Sequence, residues 1–263
     1  MMNKHRKLNR KLIRLFFATT IFICGLFLPS ASTTADEKER SYAARNGAAP
    51  FETQHLYPGG AIVLSQRSLT RPDQRVMALT FDDGPDATHD PAIAALLKQY
   101  NAKATFFFIG NKLPNHDSLI RNLAAAGHDI GNHTLHHPMM SNQSPAEQIN
   151  NLRSVNDALA RIGISTHWFR PPFGDFDAIT LNAAHNLGLE TILWTIDSRD
   201  WKIQSANEIA ARVISRFHPG AVILQHSTKA ASLSALPKIL AEGNRQGYRF
   251  VTLSEWKLVM SHP

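Results

Sequence analysis

The chain has 263 residues, 43% of them hydrophobic, which is enough to enclose one sizeable core, and a formal charge of +7. Six of its 28 Lys and Arg residues fall before position 15, leaving 22 basic against 21 acidic residues in the remainder. A body so nearly neutral argues against nucleic acid or another polyanion as partner.

The basic stretch from Lys4 to Arg14 leads into an apolar run, Leu15 to Leu28, and then into small residues up to Ala35. This is the layout of an export signal, and the run is shorter than the ~20 residues of a membrane span. Residues 1–35 are expected to be a signal peptide or membrane anchor, with secretion favoured. Any membrane contact would run through this segment, and the rest would work outside the cytoplasm. The only cysteine, Cys24, lies inside the apolar run, so the part that follows has no disulfide. Residues 36–74 are polar, contain Gly47, Pro50 and Pro58, and show no sustained periodicity; they predict a linker and N-terminal extension.

From residue 75 to 263 short β-rich apolar runs alternate with longer amphipathic ones, the pattern of repeated β-α units. The predicted strands are Val76 to Phe81, Ala104 to Ile109, His128 to Gly131, His167 to Phe169, Thr191 to Ile196, Ala221 to Gln225 and Arg249 to Leu253. Between them helices are predicted at Pro91 to Tyr100, Asp117 to Ala126, Pro145 to Ile162, Asp177 to Leu187, Ala206 to Phe217 and Leu233 to Glu242. Gly127, Gly163, Gly188 and Gly243 stand where a left-handed residue closes a helix. Titratable groups follow five of the strands, which fits the rim of a barrel better than the single switch point of an open sheet. The expected fold is α/β, a distorted or incomplete (β/α) barrel of about seven strands with its site at the C-terminal strand ends.

Five segments carry chemistry. Asp82-Asp83-Gly84-Pro85 places two carboxylates at a strand end, where one can bind a cation while its neighbour handles protons. In His133-Thr134-Leu135-His136-His137 the first and last histidines are four apart, the spacing that shares one face of a helical turn, with His136 an alternative at three apart. Two imidazoles and a carboxylate, Asp83 being the obvious one, make a three-ligand site suited to zinc or another divalent transition metal. Arg170-Pro171-Pro172-Phe173 offers an always-charged guanidinium on a stiff loop, able to hold a carboxylate ionised and in one orientation. Asp197-Ser198-Arg199-Asp200-Trp201 and Leu224-Gln225-His226 end two further strands, and an acid at one could raise the proton affinity of the histidine at the other.

These segments, in this order, resemble the polysaccharide deacetylase family, the NodB-homology domain of carbohydrate esterase family 4, over about Arg75 to Leu253. The resemblance implies Asp82 as catalytic base, Arg170 as its partner, and Asp83, His133 and His137 as ligands of a divalent metal, zinc foremost and cobalt another candidate. It further implies that Asp197 tunes His226, the general acid. Trp201 and Leu224 would line a pocket for the acetyl methyl, and the backbone N–H of Phe173 would help hold the oxyanion. Phe173 stands where tyrosine is frequent, and Ser227 where an acid often follows the histidine. The implied reaction is metal-assisted hydrolysis of N-acetyl groups on an N-acetylglucosamine-type polysaccharide, cell-wall peptidoglycan ahead of chitin oligomers, by a monomer. An O-acetyl esterase acting on acetylxylan and a noncatalytic saccharide-binding domain are the alternatives.

Overall fold

The computed structural model describes residues 55–57, 61–63 and 74–261, so the expected signal segment lies outside the described residues. Two short antiparallel strands, β1 (His55–Tyr57) and β2 (Ala61–Val63), fall inside the stretch expected to be a linker. Among the described residues no helix is long and apolar enough to cross a membrane.

The remainder is one parallel sheet wrapped by helices. Its strands are β3 (Val76–Gly84), β4 (Thr105–Phe108), β5 (Asp129–Asn132), β6 (Trp168–Phe169), β7 (Glu190–Thr191), β8 (Ile196–Asp197), β9 (Val222–His226) and β10 (Arg249–Val251). The order is β7-β6-β5-β4-β3-β9-β8, and β10 pairs with the beginning of β3. The run expected to be a single strand, Thr191 to Ile196, is two. Its first residues pair with β6 and its last with β9, at opposite ends of the sheet. One continuous segment therefore joins both margins, and the sheet curls into the distorted barrel expected from the strand-end pattern. The residues between the two pairings are tied in by Arg170, which donates from Nε to the Ile192 carbonyl (3.4 Å) and from Nη2 to that of Leu193 (2.9 Å).

Among the described residues seven helices fill the connections: α1 (His89–Gln99), α2 (Asp117–Ala125), α3 (Pro145–Arg161), α4 (Ala178–Asn186), α5 (Ala206–Ile214), α6 (Ala230–Arg245) and α7 (Leu253–Ser261). Their ends follow local chemistry. In α3, Ser144 and Glu147 form a reciprocal capping box with proline as first residue, and Asp177 with Thr180 does the same for α4. Gly127, Gly163 and Gly188 take positive φ at helix ends as expected. Gly243 does not: it lies inside α6 against the Phe250 ring, where a Cβ would come within 2.3 Å of a ring carbon, and Gly247 (φ 79°) follows the helix instead.

Because side chains alternate along a strand, each strand divides the core in two. On β3, Met77, Leu79 and Phe81 pack outward against helix residues such as Ile93, Leu97, Leu236 and Ile239. Val76 and Ala78 face inward with Phe107, Trp168, Val222, Leu224 and Trp256. Trp256 of α7 is 2% exposed and donates to the Gly220 carbonyl, so the interior at that level is filled with side chains. Burying each such side chain contributes roughly 1.5–3 kcal/mol. Continuing up the inward face of β3, the next positions are Thr80 and Asp82, and there the interior becomes polar.

Candidate active site

In a regular strand Asp82 and Asp83 would point to opposite faces. Here β3 loses register with β4 between Phe81 and Gly84, and Asp83 adopts φ 71°. Both carboxylates consequently turn toward His133, with Asp82 Oδ2 at 3.8 Å and Asp83 Oδ1 at 3.6 Å from its Nε2. Lys112, on the loop after β4, donates from Nζ to the Asp83 carbonyl (2.8 Å) and fastens this turn.

His133 follows β5 and is 2% exposed. Its Nδ1 lies 2.7 Å from the Arg170 carbonyl, which can only accept, so that nitrogen carries the proton and Nε2 presents a lone pair. The segment to His137 is not the helical turn expected from the spacing. Thr134 (φ 65°) and His137 (φ 58°) are both left-handed, and the His137 N–H donates to Thr134 Oγ1 (3.0 Å). This loop brings His137 Nε2 to 3.3 Å from the same Asp83 oxygen and leaves His136 exposed.

The ligating atoms of Asp83, His133 and His137 lie within 4.8 Å of one another. Asp83 Oδ1 is buried and has no hydrogen-bond partner among the described residues. Burial alone would raise this carboxyl; only with protons on the His133 and His137 nitrogens that face it, supplying hydrogen bonds and positive charge, is it held well below the usual carboxylate range. An acceptor oxygen facing a lone-pair nitrogen calls for positive charge between them. Two imidazoles and a carboxylate are the donors a divalent transition metal prefers, so the residues fit such an ion.

Arg170, expected to partner Asp82, does so while fully buried. Its Nη1 donates to Asp82 Oδ1 (2.9 Å) and Thr80 Oγ1 (2.7 Å), and its guanidinium stacks over the Phe107 ring at 4.4 Å. With the Ile192 and Leu193 bonds, Arg170 has a defined partner on each side, which fixes Asp82 in one orientation.

Asp82 is paired in register with His226 across β3 and β9. The carboxylate on His226 is Asp200, not Asp197 as expected. Asp200 Oδ1 lies 2.6 Å from His226 Nδ1, and Asp200 Oδ2 accepts from the His226 backbone N–H (2.7 Å) and from the Ser232 hydroxyl. Asp197 instead accepts the Arg199 backbone N–H (2.7 Å), and burial pushes its carboxyl up. A left-handed Arg199 (φ 56°) turns the loop so that the second acid of the segment enters the barrel. For His226, burial alone would favour the neutral ring, but the bond and charge of Asp200, with Asp82 and Asp83 beyond, push it up to about 9.

The residues expected to meet substrate occupy three places. Phe173, left-handed at φ 60° and 52% exposed, packs edge-on against His137 with centroids 4.7 Å apart. Leu224 lies on the inward face of β9, two residues below His226, and Trp201 is half-buried in the loop immediately after Asp200. Sequence reasoning missed Asp200 and Ser232. Asp200 stood within the quoted segment, three residues from the acid chosen, whereas Ser232 carried no signal in the sequence.

A fully buried Arg-carboxylate pair, a His-carboxylate pair and a cation-ready triad at the C-terminal mouth of a curled β-α barrel define a hydrolase. The family model described as polysaccharide deacetylase matches residues 70–192. The chain is 36% identical over 188 residues to a peptidoglycan-N-acetylglucosamine deacetylase of Bacillus cereus, covering 70% of this chain and 88% of that one. It is 33% identical over 180 residues to the peptidoglycan-N-acetylglucosamine deacetylase PgdA of Listeria monocytogenes, a longer protein of which it spans 38%. The solved structure of peptidoglycan deacetylase PdaC from Bacillus subtilis superposes with a TM-score of 0.68 at 30% identity, covering 73% of this chain and 94% of that one. The chain belongs to the polysaccharide deacetylase family, and it is an enzyme of that class.

Proposed function

We propose that this protein removes N-acetyl groups from the amino sugars of peptidoglycan, outside the cytoplasm, with a divalent metal, zinc foremost, held by Asp83, His133 and His137. The observation that carries the reading is the pairing of Asp82 with His226 across adjacent strands, one fixed by Arg170 and the other kept protonated by Asp200. An amine cannot leave as an anion, so amide hydrolysis needs a proton donor on the leaving side, whereas an ester makes a weaker demand. The named activities of the Bacillus and Listeria relatives support peptidoglycan over chitin oligomers.

When bound, the metal supplies Lewis-acid polarisation of the acetyl carbonyl and lowers the pKa of a water from ~15.7 toward ~7. Asp82, its Oδ1 occupied by Arg170, takes the water's proton as the oxygen attacks the carbonyl carbon. The Phe173 N–H helps hold the oxyanion, and Trp201 with Leu224 lines the space for the acetyl methyl. His226, its Nδ1 occupied by Asp200, delivers a proton from Nε2 to the nitrogen as the carbon–nitrogen bond breaks. Acetate and a free amine result. The test is mass spectrometry of peptidoglycan, chitooligosaccharides and acetylxylan after incubation with the purified protein. Loss of acetyl groups from peptidoglycan, abolished by a chelator, is expected; release from acetylxylan alone, or from none of the three, would overturn the reading.

A further inference from the structure

We propose that Ser232 is a positioning residue for the reaction, the third member of a Ser232–Asp200–His226 relay that links the first turn of α6 to the proton donor. This deepens the reading above and rests on His226 being that donor. Ser232 is fully buried on a face of α6 otherwise made of Ala235, Leu236, Ile239, Leu240 and Gly243. A hydroxyl on an apolar helix face needs a partner to offset its desolvation, and this one donates to Asp200 Oδ2.

Asp200 is 1% exposed and receives two donors from His226, one from the ring and one from the backbone. Those two bonds fix it relative to β9 only. The hydroxyl of Ser232 fixes it relative to α6, so the carboxylate cannot turn without breaking a bond to one of two elements. Its negative charge is held 2.6 Å from the ring nitrogen. The charged groups facing His226 are Asp82 and Asp83 at the end of β3, and Asp197 and Asp200 at and after β8. Of these, only Asp200 bonds the ring, so its orientation decides where Nε2 points.

The experiment compares Ser232→Ala with Ser232→Thr in the metal-loaded protein, reading kcat, KM and metal content. The far-downfield proton resonance of His226 Nδ1, recorded without substrate, is a further readout. Ser232→Ala is expected to lower kcat about ten-fold with KM within about two-fold and metal content unchanged, and to shift or broaden the resonance. Ser232→Thr, which keeps the hydroxyl, should restore both. Should Ser232→Ala not fold, Ser232→Cys, with a weak donor of similar shape, should fall between parent and loss. Parental kcat and an unmoved resonance in Ser232→Ala or Ser232→Cys would overturn the proposal, even if stability falls. A resonance that shifts in a protein inactive on every glycan would uphold the relay and sink the deacetylase reading instead.

Discussion

On the β5 side of the mouth, Asp83, Thr134, His137 and Phe173 all hold left-handed backbone, and a buried carboxylate oxygen faces two imidazole nitrogens with no hydrogen bond to satisfy it. On the β9 side Arg199 alone is left-handed, and Asp200 is saturated by three donors from the chain itself. Non-glycine residues in that region cost roughly 1–3 kcal/mol each, so the first half is held in place by its surroundings rather than by its own preferences. It is arranged for a partner the polypeptide does not contain. The second half is complete as it stands. Two chemistries share one opening because one half was left chemically unfinished and the other was not.

That contrast would break most sharply at the adjacent acids. Asp82→Asn should keep its metal and lose about 10² to 10⁴ in kcat, the usual cost of removing a positioned base, whereas Asp83→Asn should lose the metal itself. Metal content measured beside acetate release decides it: a metal-free Asp82→Asn protein with a loaded but inactive Asp83→Asn protein would reverse the roles.

A smaller effect sharpens the other half. Asp200→Asn should lower kcat roughly 10- to 100-fold, while Asp197→Asn, whose side-chain oxygen can still accept from Arg199, should stay near the parent. The alkaline limb of the rate profile should lie near pH 9 in the parent, where His226 loses its proton, and move down in Asp200→Asn. The sign for stability follows. The folded value lies above the ordinary 6.5, so this contribution is fully present below pH 6.5 and lost as pH rises through about 9. Melting temperatures of parent and Asp200→Asn should therefore differ most in acid and converge in alkali; a gap that widens with pH would refute the pairing.

The mildest test lies behind the mouth, at Asp90. Burial pushes this fully buried acid up to about 6, against the opposing pull of the Asp86 N–H, which donates to Oδ2, and of the nearby Ser227 hydroxyl. Its contribution favours folding only in acid and is lost as pH rises through about 6, so the ionised form destabilises at neutral pH. Asp90→Asn should stabilise by roughly 1–3 kcal/mol at pH 7.5 and by less at pH 5. Equal shifts in melting temperature at both values would show that the charge is not the cause.

The elements were legible wherever one short-range rule governed them. The apolar run from Val76 to Phe81, the helix beginning at Pro145 and the glycines at 127, 163 and 188 each stand in one local context. What was not legible depended on distant groups. Nothing local distinguishes Asp197 from Asp200, because the choice is made where α6 delivers Ser232 and β9 delivers His226. Gly243 resembles a helix end until Phe250 is seen to need its missing Cβ, and a run of six residues reads as one strand until its two ends are found on opposite margins. The histidine spacing pointed to His133 and His137 lying together, as they do beside Asp83, but through a helical turn rather than the loop observed, since left-handed residues in a loop reproduce a separation that a helix also gives.

The strand carrying Asp82 gains β4 as neighbour within about thirty residues of chain, but its other partners, β9 and β10, begin at Val222 and Arg249. A polypeptide made from its N-terminus therefore carries Asp83, His133 and His137 before β3 has a neighbour on its second edge, which comes only with β9 and β10. Asp82 and His226 thus meet only through a pairing between strands far apart in the chain, so the two halves of the site form together when β9 docks rather than one after the other.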